Sequence, residues 1–409
     1  MRLIRRTGRS LRDQGATRHQ FVYLAPNDIL VPRVDRQCIM RFCDALRDQG
    51  AAVELVSLDV QLEFDEPTRT RSIWDVYGVE PRFAVTILPS RATQSQGGLI
   101  HAVWRAVVYS AYSLGRRTHG GTTTVFYFKN YLFGFWLLGL RALSRRRIVL
   151  ILEMHVPPTR RTSAWLIRRV DGIVPVSRIL RDELVARLGI RTDRLLVAHQ
   201  GVDLEFVAAS NRTERSRAEL GFRGTGPAAV YTGKVYDGYG EIDLLTAAAR
   251  LTPEVEMVIV GGRPDQVETL RERQRTDGPP NVTFIGFVAP ADVFAYQAAA
   301  DVLVTYYPSD IPINKYRASP GKLFEYMASG RPIVSVDLPA LKEVLPEDCA
   351  FYVAPDRPEA LAAGITTALE NREMAESRAK RAYDQVQEFT WSKRAARVIS
   401  FVESLNGHA

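Results

Sequence analysis

Lys322 lies in a segment whose residue types could bind an anion. Residues 317–337 read RASPGKLFEYMASGRPIVSVD. Ser319 is a typical N-cap, Pro320 suits the first helical position, and Gly330 is typical of a helix end. The free N–H groups at the start of such a helix attract anions, and Lys322 adds a positive charge there. Every capped helix begins in much this way, but the added lysine favours a phosphate-like ligand.

Glycines and a second lysine follow several predicted strands in the same half of the chain. Gly233 and Lys234 come directly after the apolar run AAVYT. Gly286 ends the run VTFIG, and Tyr307 ends the run DVLVTYY. The carboxyl ends of parallel strands form the ligand-binding edge of a doubly wound sheet. A single glycine there usually marks only a turn, but the repetition predicts a pocket for a phosphorylated ligand.

The elements that must position these residues alternate between strand and helix along most of the chain. The run DGIVPVS, for example, leads directly into the helical pattern RILRDELVARLG. Such alternation predicts an α/β fold of two doubly wound Rossmann-like domains that face each other across a cleft. We expect a basic tail at 1–20, an N-terminal domain at 21–207, a linker at 208–226 and a C-terminal domain at 227–385.

The composition favours a globular cytoplasmic protein. The chain has 409 residues, too many for one ordinary core, of which 46% are hydrophobic and 24% are charged. Its arginine-rich N-terminus lacks the apolar core of a signal peptide, and the run 125–143 is too interrupted to span a bilayer. The three cysteines have neither metal-ligand nor disulfide spacing, which fits a reducing compartment.

Positive charge is concentrated in the first half of the chain. The net charge is +8, but residues 1–200 carry +14 and residues 201–409 carry −6. Around the aromatic run 131–143 there are eight basic and no acidic residues within 101–150: Arg105, Arg116, Arg117, Lys129, Arg141, Arg145, Arg146 and Arg147. A solvated basic face would explain them, but we expect docking to an anionic inner membrane leaflet. Nucleic-acid binding is not predicted, because no motif for it occurs.

The ordered motifs resemble those of the GT-B glycosyltransferases of the family 4 type. The similar stretches include VAHQGVDLEFV, VYTGK, VEMVIVGG, NVTFIGFV, ADVLVTYYPSD and SPGKLFEYMASGRPIVSVD, and the resemblance extends from Phe21 to the final FTWSKRAARVISFVESL. It implies transfer of a sugar from a nucleotide-diphosphate donor with retention of anomeric configuration. It also implies a donor site in the C-terminal domain, an acceptor site in the N-terminal domain, and a helix at 386–409 that crosses back to the N-terminal domain.

Individual site residues follow from this resemblance. Glu325 falls on the glutamate that accepts hydrogen bonds from the donor ribose, and Gly233 and Lys234 fall on the pair that binds the diphosphate. His155 resembles the histidine beside the transferred sugar, with a packed or surface role as an equal alternative. The other implied donor-side residues are Tyr239, Gly286, Phe287, Val288, Tyr307, Arg317, Ser319, Gly321, Lys322 and Leu323. The implied acceptor-side residues are Arg33, Glu153 and Gln200.

The chain departs from the family pattern at four places. Arg317 replaces the first motif glutamate, Tyr239 replaces a diphosphate-binding lysine, and Gln200 replaces the usual asparagine. The segment APNDILVPRVD replaces a Gly-Gly loop. We expect Lys322 and Arg317 to restore the charge that Tyr239 lacks. Since the chain has no Asp-x-Asp triplet or metal-ligand spacing, we expect no metal or other cofactor, with fixed cations and helix N–H groups stabilising the leaving diphosphate.

The predicted function is a nucleotide-sugar-dependent glycosyltransferase that acts on a glycan or lipid-linked acceptor. A sugar-nucleotide 2-epimerase of the same architecture would bind a similar donor without needing an acceptor. A third interpretation is a non-catalytic, basic membrane-associated protein that kept the fold. Arg317 favours this third interpretation, whereas Glu325 and Lys234 argue against it.

Overall fold

The chain folds into two compact units in a computed structural model. The described residues are 5–8, 19–26, 28–30, 34–59, 72–89, 107–109, 112, 122–143, 147–211, 215–235, 240–289, 292–310 and 320–406. The first unit comprises Met1–His199 together with Trp391–Ala409, and the second comprises Gln200–Thr390.

Within the described residues, the first unit is built on a seven-stranded sheet. Its strands β1 to β7 are Arg5–Thr7, His19–Leu24, Ala52–Asp59, Ala84–Pro89, Thr123–Phe128, Ile148–Met154 and Gly172–Pro175. The spatial order is β1-β4-β3-β2-β5-β6-β7, and every neighbouring pair is parallel except the antiparallel pair β1–β4. The helices are Val34–Asp48, Ile73–Tyr77, Tyr131–Leu143, Arg161–Ile167, Arg178–Leu188 and Trp391–Asn406.

Both faces of this sheet are covered, because alternate side chains along each strand belong to different cores. Phe21 and Tyr23 pack in a core that includes Trp391 of the last helix. Val22 and Leu24, the residues between and after them, pack on the opposite side with the helix Tyr131–Leu143. This alternation is the signature of a doubly wound sheet.

The second unit is built on a sheet of six parallel strands, counted over its described residues. Strands β8 to β13 are Ala228–Thr232, Glu256–Val260, Val282–Gly286, Val302–Thr305, Ile333–Val336 and Phe351–Val353, in the spatial order β10-β9-β8-β11-β12-β13. The helices are Leu204–Asn211, Gly240–Leu251, Pro264–Asp277, Val293–Ala298, Gly321–Ser329, Pro339–Lys342, Pro358–Glu370 and Arg372–Val386. The reversal of strand order at β8 and β11 places a ligand-binding crevice at their carboxyl ends.

The predicted α/β architecture of two doubly wound domains is confirmed, but the structural boundaries differ from the expected ones. The N-terminal segment of the first unit ends at His199, and the helix Leu204–Asn211 lies in the second unit. Within the expected linker, Leu220 and Phe222 pack in the second unit's core. Within the expected tail, Arg5–Thr7 forms β1 by backbone pairing to β4. Three polar residues give no apolar alternation, so the sequence contains no signal for that strand.

Candidate functional site

The loops after three neighbouring strands of the second unit touch each other through their backbones. The N–H of Gly233 donates to the carbonyl of Val260 at 3.0 Å, and the N–H of Gly261 donates to the carbonyl of Gly286 at 2.9 Å. Gly261 has φ +128°, and a Cβ atom there would lie 1.9 Å from the Gly233 carbonyl oxygen. Only glycine permits so close an approach, so these loops form one continuous edge.

Lys322 lies against this glycine edge. Its Nζ atom is 4.0 Å from the ring centroid of Tyr231 and 4.8 Å from that of Tyr307. A Cβ atom added to Gly233 would lie 2.8 Å from the same Nζ. Two aromatic faces attract the ammonium and fix its place, so a positive charge is held beside the Gly233 loop.

The helix that carries Lys322 runs Gly321–Ser329 and ends as predicted, with Gly330 in the left-handed conformation at φ +69°. It begins one residue later than expected, because Pro320 is the N-cap rather than the first helical residue. Leu323, a predicted donor-side residue, points entirely into the core and cannot offer its side chain to a ligand. The start of the helix therefore contributes N–H groups and the Lys322 side chain.

Glu325 lies on the same helix, and its carboxylate is anchored from one side. The fully buried Gln297 donates from Nε2 to Glu325 Oε2 at 3.1 Å. In the described part of the chain this is the one hydrogen bond to the carboxylate. Burial raises the pKa of Glu325, against the opposing effects of the Gln297 hydrogen bond and the Lys322 charge. Oε1 therefore retains its capacity to accept from a ligand hydroxyl.

Several residues that sequence reasoning missed support Glu325 and Lys322. The hydroxyl of Tyr326 accepts from the backbone N–H of Thr232 at 2.8 Å, which ties the helix to the end of β8. Gln297 contacts both Glu325 and the Thr232 hydroxyl, the latter at 3.4 Å. No motif marks Gln297, because it lies in an ordinary apolar helix pattern. For Tyr326 the sequence did offer a signal, because this tyrosine belongs to the LFEY segment that also contains Glu325.

A second cluster of polar side chains lies at the carboxyl edge of the first unit. Glu153, at the end of β6, has a side chain that is 1% exposed and accepts from His155 Nε2 at 2.8 Å. It also accepts from Lys129 Nζ at 2.9 Å, the Tyr127 hydroxyl at 2.6 Å and Arg394 Nη2 at 3.0 Å. Burial alone would oppose ionisation, but the charges of Lys129 and Arg394 hold the pKa of Glu153 well below its usual range.

The remaining predicted residues are distributed as follows. Lys234 is exposed after β8, Phe287 is 56% exposed after β10, and Val288 is partly buried beside it. Gln200, predicted on the acceptor side, belongs to the second unit and is buried. Arg33, Tyr239, Arg317 and Ser319 lie outside the described residues. The structure thus brings Lys322 and Glu325 together with the glycine edge that includes Gly233 and Gly286.

The described side chains form no group of three or more His, Cys, Asp and Glu residues that could hold a metal ion. No described helix has both the length and the apolar character that a bilayer crossing requires.

Comparison with known families and proteins places glycosyltransferase domains in both halves of the chain. Residues 37–206 match Glycosyltransferase Family 4, and residues 226–371 match Glycosyl transferases group 1. TuaH of Bacillus subtilis, by name a teichuronic acid biosynthesis glycosyltransferase, is 26% identical over 52% of this chain and 50% of its own. Phosphatidyl-myo-inositol mannosyltransferase of Mycolicibacterium smegmatis is 31% identical over 40% of this chain and 41% of its own. The chain spans about half or less of these two relatives.

Solved structures share the fold over almost the whole chain. Sucrose-phosphate synthase from Thermosynechococcus elongatus superposes with a TM-score of 0.70 at 16% identity, over 96% of this chain and 100% of its own. HepE from Anabaena was solved in complex with UDP-glucose. It superposes with a TM-score of 0.68 at 17% identity, over 94% of this chain and 99% of its own. The fold is therefore that of the GT-B glycosyltransferases.

Gly261→Ala is expected to weaken binding of a nucleoside diphosphate, because the new methyl group must displace the Gly233 loop beside Lys322. We expect a loss of about tenfold or more, which corresponds to about 1.4 kcal/mol. Gly221→Ala is the matched control: Gly221 also has a positive φ, of +81°, but the nearest neighbour of its new Cβ atom would be 3.5 Å away. Calorimetric titration with UDP, GDP and ADP measures the effect. Equal losses in the two variants would remove the glycine edge from the site.

Proposed function

The chain belongs to the GT-B glycosyltransferases of the family 4 type, and on that premise we propose that it transfers a sugar from a nucleotide-diphosphate sugar to a glycan or lipid-linked acceptor with retention of configuration. The second unit provides the donor site. The first unit provides His155 and the acceptor side. The observation that carries this proposal is the Lys322 ammonium held at the helix start beside Gly233, on the same helix as the Glu325 carboxylate.

Each part of that arrangement suits one part of the donor. The leaving diphosphate carries growing negative charge as the glycosidic bond breaks, and Lys322, the exposed Lys234 and the N–H groups at the helix start offset it. The ribose presents two adjacent hydroxyls, and a carboxylate accepts from both through charge-assisted hydrogen bonds. Gln297 holds one side of Glu325, so the carboxylate is oriented before the donor binds.

Glu325→Ala is expected to weaken binding of nucleoside diphosphates while the fold is retained. Losing hydrogen bonds to a charged acceptor costs about 1.5–3 kcal/mol, or roughly tenfold to a hundredfold in affinity. Glu272→Ala, at an exposed glutamate of the helix Pro264–Asp277, is the matched control. Calorimetry with UDP, GDP and ADP compares the variants. An unchanged dissociation constant in Glu325→Ala would exclude Glu325 from the site.

Lys322→Ala is expected to lower kcat/KM more than it lowers nucleoside affinity. The ammonium acts on the diphosphate, whose charge increases in the transition state, so it stabilises that state preferentially. Lys380→Ala, at a lysine that is 75% exposed, should behave as the unchanged protein. Steady-state kinetics and binding of uridine, guanosine and adenosine provide the two readouts. A Lys322→Ala protein that loses nucleoside binding as strongly as catalysis would contradict a role at the diphosphate.

We further propose that turnover needs no divalent cation, because Lys322 and Lys234 would supply the positive charge at the diphosphate. Turnover should survive exhaustive dialysis against EDTA without loss. Activity that disappears on dialysis and returns with magnesium or manganese would overturn this assignment of Lys322 and Lys234.

We also propose that the first unit docks on an anionic membrane surface. Its aromatic-basic patch consists of Phe135, Trp136, Leu143, Trp165 and Arg169. Trp136 is 42% exposed, Trp165 is 44% exposed and Leu143 is 84% exposed. The ring of Phe135 stacks on that of Trp165 at 5.9 Å, and the Arg169 guanidinium lies 3.9 Å above the same Trp165 ring. Exposed tryptophans beside cations suit the interface between water and lipid.

The charges that serve this docking differ in part from those expected from the sequence. Lys129 forms an ion pair with Glu153, and Arg141 forms one with Asp171 at 2.6 Å. Arg105, Arg116, Arg117, Arg145 and Arg146 lie outside the described residues. Besides Arg169 of the patch, the helix Arg161–Ile167 and its flanking residues carry the exposed cations Arg160, Arg161 and Arg168.

Replacing both Trp136 and Trp165 with alanine should reduce sedimentation with vesicles that contain phosphatidylglycerol. Binding should also fall as salt screens the arginine charges. Tyr383→Ala, which removes an exposed aromatic side chain of the second unit, is the control. Equal sedimentation with phosphatidylglycerol and pure phosphatidylcholine vesicles, or none with either, would contradict the proposal.

A further inference from the structure

The hydrogen bond between His155 and Glu153 determines which ring nitrogen carries the proton. Glu153 is buried and ionised, and an ionised carboxylate can only accept hydrogen bonds. His155 Nε2 lies 2.8 Å from Glu153 Oε1, so Nε2 must carry the hydrogen. In the neutral ring, Nδ1 is then the nitrogen that can accept a hydrogen bond.

A carboxylate beside a histidine would normally favour the protonated ring, but here two cations already share that carboxylate. Lys129 Nζ lies 2.9 Å from the same Oε1 that His155 contacts, and Arg394 contacts Oε2. Partial burial, which leaves 41% of the side chain exposed, and the Lys129 charge lower the pKa of His155, while the Glu153 hydrogen bond opposes them. The geometry thus combines a carboxylate that orients the ring with a cation that disfavours a second proton on it.

Arg394 brings the last helix into this cluster. Its Nε donates to the His199 carbonyl at 2.8 Å, and its guanidinium lies 4.4 Å from the centroid of the Phe42 ring. The side chain is almost fully buried and connects Glu153 to the backbone of His199. The position of the carboxylate therefore depends on a residue 241 positions away in the sequence.

The titratable and charged groups around Glu153 and His155 come from four elements in the described part of the first unit. Tyr23 lies on β2, Tyr127 and Lys129 lie on and after β5, Glu153 lies on β6, and Arg394 lies on the last helix. Burial raises the pKa of Tyr127, so that its hydroxyl remains a neutral donor to Glu153. Of these groups, only His155 changes charge near neutral pH.

We propose that Glu153 and Lys129 are positioning residues that hold His155 as the neutral Nε2–H tautomer, so that its Nδ1 accepts a hydrogen bond from a sugar hydroxyl. This inference rests on the proposed glycosyl transfer, which supplies the hydroxyl. It assigns His155 to the recognition of a hydroxyl rather than an anion, because a neutral ring nitrogen with a lone pair cannot donate to a phosphate or carboxylate. Glu153 sets the orientation and Lys129 sets the charge.

Nuclear magnetic resonance of the full-length protein labelled with ¹⁵N-histidine tests the inference without requiring activity. The chain contains six histidines, and the spectrum of His155→Gln identifies the His155 signals. We expect the Nε2–H tautomer at pH 7. In Lys129→Met the His155 titration should move to higher pH, because the cation that lowers its pKa is gone. Lys393→Met is the matched control, since Lys393 is the exposed lysine of the last helix.

Kinetics and a second variant complete the test. The acid limb of the pH profile of kcat should move to higher pH in Lys129→Met, because activity is lost as His155 becomes protonated. In Glu153→Gln, whose folding is checked by thermal unfolding, we expect a mixture of tautomers, since an amide can donate as well as accept. Lys129→Met keeps three of the four donors to Glu153. If Glu153→Gln does not fold, the Lys129→Met result alone decides whether the positioning role holds.

The outcomes separate this inference from the proposed function. An Nδ1–H tautomer in the unchanged protein, or a titration that Lys129→Met leaves unmoved, overturns the positioning role whatever the activity. Failure to release nucleoside diphosphate from any nucleotide sugar overturns the proposed function, while the tautomer and titration still report on the cluster. The predicted tautomer, the predicted titration shift and the shifted acid limb together support both.

Discussion

In the second unit, the loops after β8, β9 and β10 approach each other so closely that backbone meets backbone at Gly233, Gly261 and Gly286. The proposed donor site depends on this contact. It leaves no room for a side chain at Gly261, and the Lys322 ammonium lies beside Gly233 and near two tyrosine rings. A fixed cation at a helix start is a preorganised partner for a diphosphate, because it need not reorganise as charge develops.

Two glutamates, Glu153 fully buried and Glu325 partly buried, show how environment assigns different tasks to the same side chain. Glu325 has one buried amide donor and a nearby lysine, and burial raises its pKa. Glu153 is surrounded by Lys129, Arg394 and two further donors, and its pKa is held well below the usual range. The first carboxylate has acceptor capacity left for a ligand, whereas the second uses its capacity to hold its neighbours in place. Environments that separate the pKa values of similar groups commonly accompany separate roles in a site.

Local sequence patterns predicted the two doubly wound sheets and the helix that carries Lys322 and Glu325. These features depend on alternation, capping and glycine, which act over a few residues. The support for the sites was not predictable in the same way: Gln297 lies 28 positions from Glu325, and Arg394 lies 241 positions from Glu153. Such contacts arise only when the sheet brings distant segments together. The short strand β1 was missed because pairing to an existing edge needs backbone groups rather than a side-chain pattern.

Release of nucleoside diphosphate from nucleotide sugars is the most direct measurement of the proposed transfer. The full-length protein is incubated with UDP-, GDP- and ADP-linked sugars, with and without a lipid extract as the acceptor source. We predict release from at least one donor, dependence on the extract, and loss of release in Glu325→Ala but not in Glu272→Ala. Conversion of a donor to its epimer or release of nucleotide without any acceptor, or no release from any donor, would contradict glycosyl transfer.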